Sequence, residues 1–177
     1  MTGPTEALLY HFDTIPEDER TAALNGKWYR ESRRTARALA RKHGTTLATA
    51  AGVLAALSPR IQWRANVAAA DKVLGGQRDP SRVAGFDANI DKAFRIADGE
   101  KPLSVLGGPK VTAFYRAIMG DEDAGVVDVW MWRAMGYAPG EVSYAVAEAH
   151  LREAASQAGL PVSTFQAIVW TKVRGRP

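Results

Sequence analysis

The residues best suited to chemistry are concentrated between positions 101 and 136, KPLSVLGGPKVTAFYRAIMGDEDAGVVDVWMWRAMG. Gly107-Gly108-Pro109-Lys110 stands between a short apolar turn (Leu103, Val105, Leu106) and a helical pattern running from Val111 to Met119. Glycines let a hairpin backbone come close to another molecule. The helix that follows aims free N–H groups and its positive dipole end at the same spot. Together they make an anion site for which phosphate is a natural occupant, and Lys110 adds a charge. The same pieces also build a plain helix corner with no ligand. Eighteen residues after Lys110, Asp128 follows Val126-Val127 and precedes Val-Trp-Met-Trp-Arg. An acid leaving a buried apolar run at a helix start can be an N-cap. Held rigidly at a cleft, it can also be a working carboxylate. The two roles are compatible.

These residues need a scaffold, and the composition indicates a helical one. The chain has 177 residues, of which 31 are alanine, the best helix former. Its length fits one domain or two small lobes. With no cysteine there is no disulfide framework, thiol nucleophile or Cys-held iron–sulfur cluster. His11, His43 and His150 lack ligand spacing, so neither a metal nor a cofactor is expected. The net charge of +4, with 16 arginines against 7 lysines, is compatible with a polyanionic partner. No apolar run approaches the ~18 residues of a membrane span. The first twenty residues do not read as a secretory signal. A cytoplasmic monomer is expected.

Along the chain, the first sixteen residues read as irregular. Pro16-Glu17-Asp18-Glu19 starts a helical pattern that reaches His43, with a break near Asn25-Gly26, and Gly44 suits its C′ position. Thr45-Thr46 open the helix Leu47–Leu57, apolar on nearly every face and so expected at the centre of a bundle. Ser58-Pro59 stops it. Further helices are predicted over Gln62–Leu74, Asp87–Ala97, Glu141–Gln157 and from Pro161 to Val173, with a short one at Asp128. Asp121-Glu122-Asp123 reads as a solvated loop, and RGRP as a basic tail.

Gly-Pro-Lys-Val at 108–111 and Val-Asp-Val-Trp-Met-Trp at 127–132 resemble the HhH-GPD superfamily of helix-hairpin-helix DNA glycosylases, especially its 8-oxoguanine branch. The spacing from Lys110 to Asp128 is similar to the lysine-to-aspartate spacing of the endonuclease III branch. The hairpin departs from the usual G-V-G or G-I-G pattern. Leu57-Ser58-Pro59-Arg60-Ile61-Gln62 resembles the segment that places a wedge residue in the duplex. Phe165-Gln166-Ala167-Ile168-Val169-Trp170 resembles a stretch lining the base pocket. The resemblance covers residues 45 to 175.

It implies an all-α, two-lobed fold forming a single unit over 1–177. Residues 45–118 would form a helical barrel with the hairpin at 103–119. Residues 17–44 and 128–175 would form the second lobe. The implied partner is double-stranded DNA containing a modified base. The implied reaction is excision of that base after flipping, with or without a lyase step. Asp128 would stabilise the positive sugar and orient a nucleophile. Lys110 would either attack C1′ and form a Schiff base or contact phosphate as a point charge. Gly107, Gly108, Pro109 and Lys110 would hold the DNA backbone. Arg60, with Gln62 nearby, would fill the gap left by the extruded base. Gln166 would bond the edge of the base and Trp170 would stack on it, unless Trp170 is a core aromatic. Two alternatives stand beside this reading: a non-catalytic DNA-binding module, and a phage-type enzyme that modifies bases on the same fold.

Overall fold

A computed structural model describes residues 3–24 and 27–175, and every regular element in them is helical. The chain divides into two compact units. The middle unit is Glu31–Gly120, and the terminal unit combines Met1–Arg30 with Asp121–Pro177.

The middle unit is organised around α4 (Leu47–Leu57), capped by the Thr46 hydroxyl, which accepts from the Thr49 amide at 3.0 Å. Every residue from Ala50 to Leu57 is buried. This helix is apolar all round because four others pack on it: α5 (Trp63–Leu74), α6 (Asp87–Ala97), α7 (Pro102–Val105) and α8 (Pro109–Met119). A 3-10 turn at Pro80–Arg82 lies between α5 and α6. Gly52 is where the packing is tightest. A Cβ there would lie 2.7 Å from Pro102 Cγ, so only hydrogen lets α7 approach. The buried Asn66 side chain donates to Leu54 O at 3.0 Å, satisfying a carbonyl in the last turn of α4.

α3 (Lys27–Lys42) is amphipathic. Ser32, Ala36, Leu39 and Ala40 are buried, while Arg34, Arg37 and Arg41 are exposed. Ala36, Leu39 and Ala40 belong to the core of the middle unit. The unit therefore starts at Glu31, not at residue 45: of the residues 17–44 expected in the other lobe, 31–44 lie in the middle unit and 17–30 in the terminal one. Gly44 does take a left-handed φ of 63° after the helix. The expected break at Asn25-Gly26 lies outside the described residues.

The terminal unit contains α1 (Pro4–Asp13), α2 (Glu17–Leu24), α9 (Val129–Ala134), α10 (Tyr144–Gln157) and α11 (Val162–Arg174). Helix α1 corrects the expected irregular start. Pro4 sits at its N-terminus and Glu6 in its first turn. Its apolar signal is only Leu8, Leu9 and Phe12, and packing stabilises it: Leu8 is fully buried and Phe12 meets Phe165 at 5.2 Å. α10 starts later than predicted. The Ser143 hydroxyl caps it, while Glu141 turns back to accept from the Ala138 amide at 2.8 Å.

Candidate functional site

The hairpin joins α7 to α8. Val105 and Leu106 are buried and anchor its first arm, and Gly107 to Lys110 are all exposed. Gly108 has φ 82° and ψ 144°, a conformation open to glycine and strained for other residues. α8 starts at Pro109, not Val111, so Pro109 and Lys110 form its first turn. Pro109 has no amide proton. Thr112 N bonds back to Gly108 O at 3.2 Å, and the Lys110 and Val111 amides precede that bond. Lys92 Nζ lies 3.3 Å from where a Cβ on Gly107 would be, so a second cation borders the hairpin.

Arg60 and Gln62 belong to the same unit. Arg60 is exposed and is the one non-glycine residue with positive φ among the described residues, at 58°. That strain costs about 1–2 kcal/mol. Its guanidinium lies 5.9 Å from the ring of Phe86, itself 51% exposed. Gln62 occupies the N-cap position of α5 without a side-chain capping bond.

Asp128 belongs to the terminal unit, at the head of α9. One carboxylate oxygen accepts from the Trp130 amide at 3.0 Å and the Met131 amide at 3.1 Å. The other accepts from the Trp170 indole N–H at 2.8 Å. Three N–H donors thus hold an acceptor-only group in one orientation. The segment leading to it is also held. The Tyr144 hydroxyl donates to Gly125 O at 2.9 Å and accepts from the Val127 amide at 3.0 Å. Burial raises the Tyr144 pKa to about 12, and the Glu148 and Asp128 charges act the same way, against the Val127 bond and Arg152. Tyr29, on α3, donates to Gln166 Oε1 at 2.6 Å. Burial, then the Asp128 charge, pushes its phenol well above the usual range.

The candidate residues therefore fall into two groups. Gly107, Gly108, Pro109, Lys110, Arg60 and Gln62 lie in the middle unit, and Asp128, Gln166 and Trp170 in the terminal unit. Gln166 is 3% exposed and Trp170 9%. Trp170 contacts Trp28 at 5.5 Å and Arg174 at 4.6 Å, and its indole bonds Asp128 directly. Sequence reasoning missed Trp28, Tyr29 and Tyr144. An aromatic pair opening a helix otherwise rich in arginine was the available signal for the first two. Trp132 is buried and Trp130 half-buried. Among the described residues, no group of three His, Asp or Glu is placed to hold a metal ion, and no helix is long and apolar enough to cross a membrane.

Residues 7–177 match the model of DUF7178, a family of unknown function. The chain belongs to that family. No curated protein and no solved structure matches it significantly.

Proposed function

We propose that this DUF7178 chain is a DNA N-glycosylase that removes a damaged or modified base turned out of the duplex. The observation that carries this reading is the Asp128 carboxylate, fixed by the Trp130 and Met131 amides and the Trp170 indole. In base excision the bond from C1′ to the base nitrogen breaks, and the base leaves with the electron pair. Water adds its oxygen to C1′, and its proton goes to the departing base. Positive charge grows on the sugar during this exchange. A carboxylate whose orientation is set beforehand stabilises that charge without reorganising. Trp170 then acts as a positioning residue on Asp128, in place of stacking on the base. The exposed hairpin supplies the phosphate contacts, through the Lys110 and Val111 amides and the cations Lys110 and Lys92.

The test is incubation with duplexes containing 8-oxoguanine, uracil, 5-hydroxymethyluracil or alkylated bases, followed by alkali. Strand breaks that disappear in Asp128→Asn support the reading. DNA binding without cleavage of any duplex in the panel overturns it. Borohydride trapping of a covalent adduct, lost in Lys110→Ala, assigns a lyase step to Lys110. Its absence leaves Lys110 as a phosphate contact.

One observation favours the second reading, a non-catalytic DNA-binding module. The bonds that Asp128 makes are internal, and two of them are N-cap bonds. In that case no duplex is cleaved, and Asp128→Asn lowers stability while leaving DNA affinity unchanged.

A further inference from the structure

Helix α3 carries seven basic residues and one acid, a formal charge of +6. The whole chain carries +4, so everything outside α3 sums to −2. The basic character of the protein is therefore not diffuse but concentrated on this helix. Three of its arginines, Arg34, Arg37 and Arg41, are exposed and follow one another at spacings of three and four residues. That spacing puts them on one helical face. At 1.5 Å per residue they extend over about 10 Å. None of the three has an ion pair or hydrogen bond among the described residues. Three other cations of the same unit are ion-paired: Lys42 to Asp71, Arg78 to Asp98 and Arg95 to Glu100. Like charges one turn apart disfavour the helix that carries them, so this row costs stability that an external anion would return.

We propose that Arg34, Arg37 and Arg41 form a docking surface for the phosphate backbone of DNA, separate from the hairpin. The proposal rests on the DNA reading above and extends it to a second contact surface. Three features select nucleic acid. The guanidinium fork binds phosphate through two parallel N–H bonds. A row of charges matches a partner whose own charges repeat at 3.4 Å along each strand. The same face offers no large apolar side chain for a bilayer, since Ala36, Leu39 and Ala40 are spent on the core.

The experiment uses the full chain and an undamaged 20-base-pair duplex labelled for fluorescence anisotropy. Affinity is measured across a salt series for wild type, for R34Q/R37Q/R41Q and for R34K/R37K/R41K. Each phosphate neutralised contributes a slope of about −0.9 in log K against log salt. The glutamine variant is expected to lose two to three units of slope magnitude and about tenfold or more in affinity at low salt, with unchanged helical circular dichroism. The lysine variant is expected to keep the slope. A glutamine variant that keeps the wild-type slope and affinity overturns this proposal and leaves the DNA reading standing. Wild type that fails to bind the duplex overturns both. A glutamine variant that binds the duplex normally but no longer binds phosphatidylserine vesicles reassigns the row to a membrane and overturns the proposal.

Discussion

Gly107–Lys110 and Asp128 both stand where a helix begins, and they are built in opposite ways. The hairpin is made of backbone: two glycines, a proline that sets the first turn, and amides left free by helix geometry. All of it lies within a few consecutive residues. The Asp128 site adds side-chain bonds from distant segments to two local backbone amides, those of Trp130 and Met131. Its indole donor is 42 residues away, and the Tyr29–Gln166 bond beside it spans 137. The units that hold them differ likewise. The middle unit is one uninterrupted stretch, whereas the terminal unit joins the two ends of the chain. A backbone site survives most side-chain changes around it. A site of side-chain bonds depends on a core assembled from distant segments.

That contrast can be broken or sharpened by experiment, and the largest effect is expected in the terminal core. Phe165 is fully buried against Phe12. Phe165→Ala should cost about 3–5 kcal/mol in urea unfolding. A loss under about 1 kcal/mol would show that this core does not hold the unit together.

The next effect depends on pH. In the folded chain the Tyr144 pKa is raised to about 12, above its unfolded value near 10. A raised folded value means the stabilisation is complete below pH 10 and is lost as pH climbs toward 12. The loss should be about 2–3 kcal/mol. Tyr29 is shifted the same way and steepens the decline. The urea midpoint of Tyr144→Phe, followed from pH 9 to 12, should fall less steeply than that of wild type.

Trp170→Phe keeps a ring but removes the donor to Asp128. It should cost about 1.5–3 kcal/mol, the range for a hydrogen bond to a charged group. If excision occurs, its rate should fall more than substrate affinity, because a positioning residue acts in the transition state. An unchanged rate would return Trp170 to a purely structural role.

Gly108→Ala should cost about 1–3 kcal/mol, because φ 82° with ψ 144° is a conformation strained for any residue but glycine. It should weaken duplex binding while leaving the alkaline behaviour of Tyr144 as in wild type. Arg60→Gly is expected to shift stability least, by under about 1 kcal/mol, because relief of strain is offset by a freer unfolded chain. Its duplex affinity should nonetheless drop, and unchanged affinity would remove Arg60 from the interface.

What could be read from the chain follows the same division. α4 was legible because an eleven-residue apolar run between Thr46 and Ser58 has one plausible environment. α6 was legible from its periodicity. α1 was not, since Leu8, Leu9 and Phe12 make a weak stripe whose helix forms only against α9, α10 and α11. The start of α10 was misplaced because Glu141 and Ser143 both suit a helix entrance, and only the fold shows Glu141 closing the preceding turn. Asp128 stood out by its position after two valines, but its indole donor did not.

By itself the sequence determined the helical class, the central helix and the Gly-Gly-Pro-Lys turn, because each depends on residues within a turn or two of one another. The tertiary structure alone decided that α3 from Glu31 onward belongs with the middle core, that α1 exists, and that Trp170 and Tyr144 hold Asp128 and the segment before it. Those outcomes depend on which buried faces meet, and no local periodicity encodes a hydrogen bond between side chains far apart in the chain.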